Sequence, residues 1–574
     1  MVSRFEAQTP KDSAAMAMAI AALALATVAG SALATPDPSG GVERGQREDR
    51  GALIVLDVYG SYEDMGRQEV ELLGPLGREL HELYAARWRG LMRAHGLLGT
   101  LVNAVVFPLW SSVGWWREDS GFFAEAAGIA GALTITDADA VRLLYGGVFG
   151  GGSTAFAATR TATADGGAIL GRNVDWSDDS GRRRPVVTRY HPNNGDLVHL
   201  TASWPLIFVP IVGINQAGLA ISINFFDADE MIGFGPPRFL YRRVLQRART
   251  VDEAIALLMQ GGNRGGAGIL VLADAGGDLA IAECAAKRCA VQRPTDDWLA
   301  QSNHTRTAEM RDHDEGRTAD SYRRQAAMAA AVGRHLGDIT PRVAAEILRD
   351  RSNSRFINDA TVANLRVLNA VVVHPASQTM WHSTAMQPVA PFGEMVPLSV
   401  DGGAGGFQPL EADARLGSDG LRREEAVVAT MRQAARLFAA GRVGDAGRLW
   451  DRLAADGTSR LEPRRLDWAR ARVRWSTGKL AAADALLAEV DVDEAPFEVR
   501  AYALVARAMI ADRQGRRLEA LKQYRVAEAF LNAHGEYDAP LIVGPVRTWI
   551  REGLAAPQNR GPLPPMPDLQ SIPQ

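Results

Sequence analysis

The 574-residue sequence has only two cysteines, Cys284 and Cys289, and no cysteine–histidine spacing of a zinc site. Separated by Ala-Ala-Lys-Arg, they are compatible with pairing across a hairpin and equally with serving as small apolar fillers. Strong charge of one sign is also missing: 63 basic against 67 acidic residues leave a formal −4, too little to recruit nucleic acid or an anionic membrane by itself. Gly261 to Gly268 is glycine-rich but lacks a Gly-Lys-Ser/Thr ending, and a strand-like run follows where a phosphate loop needs a helix. His304 and His313, near Asp312, Asp314 and Glu315, fit no metal-ligand spacing and read as a solvated loop. No cofactor and no metal are expected.

Long apolar runs are scarce, and the one at Ala14 to Ala34 follows a polar opening with Arg4 and Lys11 and ends in Ala32-Leu33-Ala34. This is the layout of a cleaved export signal over residues 1–34, which places the protein in the periplasm or outside the cell. An uncleaved membrane anchor is the rival reading, because the run approaches the roughly 20 residues that span a bilayer. If the signal is cut, no stable membrane insertion remains. Residues 35–49, beginning Thr35-Pro36-Asp37-Pro38, read as a linker.

From Ala52 to Val58 the apolar density is that of a buried strand, and Tyr62 starts a helical pattern that continues to about Arg93. Thr136 to Asp139 reads as a cap, so residues 50–152 form a mostly helical region. After Gly150 short strand-like runs alternate with turns: Thr154 to Thr161, Ala168 to Arg172, Pro185 to His191, Leu197 to Trp204, Ile207 to Ile214 and Leu219 to Asn224. Helical stretches at Arg238 to Arg247, Val251 to Leu258 and Ala319 to Arg349 are interspersed with Gly268 to Ala273, Leu279 to Cys284, Leu368 to Val373 and Thr379 to Ser383. The class is α+β for residues 153–400. Trp204 to Pro210 suits either the wall of an acyl pocket or plain core packing.

Residues 401–419 form a glycine-rich linker, and beyond it no strand signal remains. Gly441, Gly478 and Gly515 stand 37 residues apart, each between two helical runs. That spacing is close to the tetratricopeptide period of about 34 residues, in which each helical hairpin buries its face on the next. A plain helical bundle is the other reading of residues 420–555. Residues 556–574 are a proline-rich tail expected to be disordered.

The chemistry is concentrated at Gly150-Gly151-Gly152-Ser153, followed by Gly171-Arg172-Asn173-Val174-Asp175-Trp176. A serine hydroxyl is a poor nucleophile without a base, and cutting the chain before it uncovers an α-amine with a reference pKa of about 7.7 to 8.0. Glycine before the serine leaves the scissile carbonyl unshielded. A simple glycine-rich loop is the competing reading. Ala155 stands where a Gly-x-Ser-x-Gly elbow needs its second glycine, which excludes that motif.

Together these segments resemble the start of the mature catalytic chain in isopenicillin N acyltransferase-like enzymes, N-terminal nucleophile hydrolases related to choloylglycine hydrolases and acid ceramidases. The resemblance continues through Gly60 to Gly66, Glu125 to Gly131, Gly213 to Leu219, Ser222 to Asn224 and Ser302-Asn303-His304, covering about residues 50 to 400. It implies an αββα sandwich, self-cleavage between Gly152 and Ser153, and an acyl-Ser153 intermediate in cleaving or transferring an amide-linked acyl group of a small-molecule substrate. It further implies that Asp175 orients the Ser153 amine and that Arg172 stands beside the nucleophile. Asn303, by its side-chain amide, and Asn215, by its backbone N–H, are the implied oxyanion donors. This chain departs from the family in carrying serine where those enzymes normally carry cysteine. A weakened or inactive copy that binds a protein partner through its helical repeats is therefore the alternative.

Overall fold

The computed structural model describes residues 43–94, 96, 121–146, 152–176, 184–229, 239–260, 267–316, 318–352, 361–364, 366–403, 406–456, 463–490, 497–535 and 540–558. The export signal, most of the glycine-rich 261–268 segment and nearly all of the proline-rich tail lie outside them.

Two sheets form the centre. The larger runs in the order β1 (Gln46–Arg50), β2 (Leu53–Gly60), β5 (Val186–Pro192), β6 (His199–Ser203), β7 (Val212–Asn215), β8 (Ala220–Asn224), β9 (Gly268–Ala273), β10 (Leu279–Cys284), β11 (Cys289–Gln292). The smaller is β12 (Trp298–Gln301), β3 (Gly152–Ala158), β4 (Ile169–Asp175), β13 (Val367–His374), β14 (Thr379–Ser383), β15 (Met395–Ser399). Every pairing is antiparallel except β2 with β5. That exception follows from the connection, because more than a hundred residues of helix and β3–β4 intervene, and a long crossover brings a strand back parallel.

Alternation along the strands separates three apolar layers. Ala155, Ala157 and Leu170 face Val187, Leu200, Val212 and Ile269 across the gap between the sheets. The next residues along, Phe156, Ala158 and Ile169, face the other way onto α7 (Ala319–Gly333) and α8 (Pro341–Leu348). Ile54, Leu56, Ile221 and Leu272 cover the outer face of the larger sheet under α1 (Tyr62–Leu73), α2 (Pro75–Ala94), α3 (Phe122–Leu133), α4 (Asp137–Gly146), α5 (Phe239–Arg247) and α6 (Val251–Gln260). The result is the αββα sandwich, with the strand period of two deciding which layer each residue joins.

The helical pattern expected from Tyr62 to about Arg93 is divided at Gly74, where φ of 59° ends α1. Its start carries a capping box: the Ser61 hydroxyl accepts from Asp64 N at 3.1 Å, and the Asp64 carboxylate accepts from Ser61 N at 3.2 Å. The Ile207 to Ile214 run is a strand only from Val212; residues 204–211 are an irregular apolar segment. The structure joins Cys284 to Cys289, which face each other across β10 and β11, in a disulfide.

Beyond the sandwich, α9 (Asp419–Ala439), α10 (Val443–Ala455), α11 (Pro463–Ser476), α12 (Leu480–Val490), α13 (Phe497–Arg513), α14 (Arg517–Ala533) and α15 (Pro540–Ala555) make an all-helical region. Gly441, Gly478 and Gly515 each end a helix with φ of 75°, 75° and 76°. The start of α9 rests on the sandwich, where Leu421 packs with Phe392 and Ala363, and Arg351 pairs with Glu424 at 2.7 Å. Among the described residues no helix is long and apolar enough to cross a membrane.

Two glycines set the approach of α1 to α3. A Cβ on Gly128 would lie 1.9 Å from the Glu63 carbonyl oxygen, and one on Gly66 would lie 2.3 Å from the Glu125 carbonyl oxygen. Both obstacles are backbone, so neither can swing aside. Gly128→Ala is therefore expected to cost about 1–3 kcal/mol, read as a lower urea midpoint. Gly131→Ala, which meets nothing within 4 Å, is the matched control and is expected to be neutral or slightly stabilising.

Candidate active site

Ser153 stands at the second position of β3, paired with Val174 of β4, while Gly152 pairs with Asp175 and Ala155 with Arg172. The period of two turns the Ser153 and Arg172 side chains into the gap between the sheets. It turns Thr154, Asn173 and Asp175 towards the α7–α8 layer.

In the gap, Arg172 Nη2 donates to Ser153 Oγ at 2.7 Å, and its Nη1 donates to Ile211 O at 2.9 Å and Ser222 Oγ at 3.0 Å. The guanidinium is fully buried, and burial pulls its pKa down to about 9 against the opposing charge of Asp175. A cation denied water beside a hydroxyl gains most when that oxygen becomes negative, which is the charge change of nucleophilic attack.

The Ser153 peptide unit is held by side chains from outside its strand. Its N–H donates to Asn303 Oδ1 at 2.6 Å. Its carbonyl accepts from Arg324 Nη1 at 2.6 Å and Ser302 Oγ at 3.0 Å. Arg324, on α7, also donates to Thr154 Oγ1 at 2.9 Å, Asn303 Oδ1 at 3.0 Å and Asp320 Oδ2 at 3.0 Å, and stands 3.5 Å from Asp175 Oδ2. Asp175 accepts from Asn364 Nδ2 at 3.0 Å. Burial pushes its carboxyl pKa up, opposed by Arg324 and Arg366 and by the Asn364 hydrogen bond. A Cβ on Gly152 would come within 3.1 Å of Asp175 Oδ2. Glycine thus lets the carboxylate lie directly against the bond before Ser153.

Ser153, Arg172, Asp175 and Asn303 are brought together; Asn215 is not. Its backbone N–H donates to Leu219 O at 3.1 Å, and its side chain spans Leu245 O, Ala248 O, Ala217 N and Leu219 N. It closes the β7–β8 turn, about 13 Å of extended chain beyond Ile211, the residue of that segment that touches Arg172. The oxyanion role implied for Asn215 is therefore corrected to that of a turn residue. For Asn303 the group is corrected: its amide nitrogen donates to Phe225 O at 2.7 Å, so it offers Ser153 an acceptor. Both neighbours on its oxygen side are donors, Ser153 N–H and Arg324, which decides the amide orientation.

Arg324, Ser302 and Asn364 are the residues that sequence reasoning missed. Asp320 and Arg324 look like an ordinary (i, i+4) surface pair, and nothing local shows that α7 carries them under β3. His304 is buried rather than in a solvated loop and stacks on Tyr322 at 3.7 Å between ring centres, while His313 Nδ1 lies 2.9 Å from Asp229. Among the described residues no group of three or more His, Cys, Asp or Glu could hold a metal ion.

The four-layer sandwich thus holds a serine near the start of an inner strand, its hydroxyl on an arginine and its nitrogen on a side-chain acceptor. Residues 162–385 match the family model of acyl-coenzyme A:6-aminopenicillanic acid acyl-transferase, which bears out the resemblance over that segment. Arg172, Asp175, Asn215, Asn303 and Arg324 fall inside the match; Ser153 lies just before it. No curated protein matches the chain. Among solved structures, the chain is similar to an N-acylethanolamine-hydrolyzing acid amidase ortholog of Caenorhabditis elegans (14% identity, TM-score 0.31, 39% of this chain and 93% of that one). It is also similar to a mutant conjugated bile acid hydrolase of Clostridium perfringens (11%, 0.31, 45% and 95%) and a penicillin V acylase of Agrobacterium tumefaciens (15%, 0.29, 43% and 86%).

Replacing Arg324 by Gln leaves Asp175 buried without its nearest cation and the Ser153 carbonyl without its shorter donor. A loss of about 3–5 kcal/mol in urea unfolding is expected. Asp175→Asn in the same chain should recover part of that loss, so the two changes together cost less than their sum.

Proposed function

We propose that the protein is an autoproteolytic N-terminal nucleophile amidohydrolase or acyltransferase that works through an acyl ester on Ser153. The observation that carries this reading is the pairing of Arg172 with Ser153 Oγ at 2.7 Å and Asn303 Oδ1 with Ser153 N at 2.6 Å, with Gly152 against Asp175. In maturation Ser153 Oγ attacks the Gly152 carbonyl carbon. The Gly152–Ser153 C–N bond breaks as the oxygen–carbon bond forms, and the nitrogen leaves as an amine carrying the hydroxyl's proton. Water then hydrolyses the ester to the Gly152 carboxylate and a free Ser153 hydroxyl.

The freed amine stays beside Asn303 Oδ1 and near Asp175, which hold its hydrogens and aim its lone pair at Oγ. It takes the hydroxyl proton as Oγ attacks the substrate's amide carbonyl, and returns it to the departing amine. Water or a second amine then accepts the acyl group. The family match to an acyl-transferase of 6-aminopenicillanic acid supports an N-acylated small molecule as substrate. We further infer export by the segment 1–34 and docking of a protein partner on tetratricopeptide-like repeats in α9–α15.

Purified protein should give two masses meeting between Gly152 and Ser153. Ser153→Ala should stay uncut and lose at least about 10³-fold in turnover of an N-acyl amide. Ser153→Cys restores the family's usual nucleophile and should be cut like the native chain. A native chain that stays joined at Gly152–Ser153 would refute the self-processing step.

A further inference from the structure

A second buried ionisable cluster lies on the opposite face of the larger sheet, between α1, α3 and α5. Glu69 of α1 and Glu125 of α3 are 4% and 1% exposed, and they share one fully buried cation, Arg242 of α5. Arg242 pairs with Glu125 at 2.9 Å and lies 3.9 Å from the ring centre of Tyr190 and 4.3 Å from that of Phe208. Among the described residues, the other ionisable groups around them include Tyr62 on α1, whose hydroxyl donates to Asp196 at 2.9 Å, Tyr190 and His191 on β5, and His199 on β6. His199 brings no compensating charge, because burial and Arg242 hold its pKa down to about 3.

Glu69 reaches out of this cluster. Its Oε1 accepts from Leu206 N at 3.2 Å, and Leu206, fully buried, has φ of +59°, a conformation that a leucine adopts only when its surroundings impose it. Leu206 belongs to the irregular 204–211 segment, which touches the candidate site at both ends. Trp204 packs on Trp176, next to Asp175, with ring centres 4.8 Å apart, and Ile211 O accepts from Arg172 Nη1 at 2.9 Å.

We propose that Glu69 is a positioning residue for the nucleophile: by fixing Leu206 it braces the 204–211 segment that seats Arg172 beside Ser153. The link to catalysis rests on the reading of Ser153 above; the brace itself does not. With one proton the cluster is neutral, a Glu125–Arg242 pair beside an uncharged Glu69. Without it a second buried negative charge faces Glu125. Burial, and then Glu125, push the Glu69 pKa up to about 7, against Leu206 N–H, Arg242 and Tyr190. A carboxyl whose folded value is raised gives its full stabilisation below its unfolded value of about 4.3 and loses it as pH rises through about 7. That is a change in overall stability; the Leu206 N–H hydrogen bond itself favours the carboxylate form of Glu69.

Hydrogen exchange of peptides spanning 204–211, measured in the full chain and corrected for intrinsic rates, tests this. Glu69→Ala should exchange there at least tenfold faster than the native protein and slow scission before Ser153 at least tenfold. Glu69→Gln keeps an acceptor for Leu206 N–H and should stay within threefold of the native protein in both readouts. Unchanged exchange in Glu69→Ala, or Glu69→Gln exchanging as fast as Glu69→Ala, would overturn the brace. A native chain that is never cut would refute the reading of Ser153, while the exchange comparison would still decide the brace.

Discussion

The peptide unit of Ser153 is gripped from outside its own strand, and the rest of the site depends on that grip. Asn303 takes its N–H, and Arg324 and Ser302 take its carbonyl. The hydroxyl is thereby fixed against Arg172 in the buried gap between the sheets, and Gly152 lies against Asp175. A buried guanidinium is tolerable only when its donors are met. Arg324 meets that condition with Ser153 O, Thr154, Asn303 and Asp320, so the residues it satisfies are the residues it positions.

Each layer of the sandwich contributes one constraint. The smaller sheet sets the register that places Gly152 opposite Asp175 and Ser153 next to Arg172's side of the gap. Helix α7 supplies Arg324 from behind. The larger sheet and the 204–211 segment supply Ser222 and Ile211 to the other nitrogen of Arg172. On the outer face of the larger sheet, Gly66 and Gly128 allow α1 and α3 to touch, which brings Glu69 and Glu125 to Arg242.

Much of this was legible in the sequence because local chemistry declares itself. The Thr136–Asp139 cap, the β3 and β4 strands with Ser153, Arg172 and Asp175, and the αββα class were all read from spacing or resemblance. What stayed hidden was long-range. Asn215 looked like a donor, yet every one of its polar groups closes its own turn. Asn303 was placed correctly but read by the wrong end of its amide, because only the fold shows that two donors surround it. Arg324 and the strained Leu206 carry no local mark; their partners lie 171 and 137 residues away. The apolar run from Ile207 reads as a strand, yet it joins the ladder only from Val212.

The central claim is that Ser153 Oγ carries the acyl group. Acid quenching during turnover of an N-acyl amide, followed by peptide mass mapping, tests it most directly. The account predicts that the peptide beginning at Ser153 gains the acyl mass as a hydroxylamine-labile ester. Turnover with that peptide unmodified and the acyl group on another residue would contradict it.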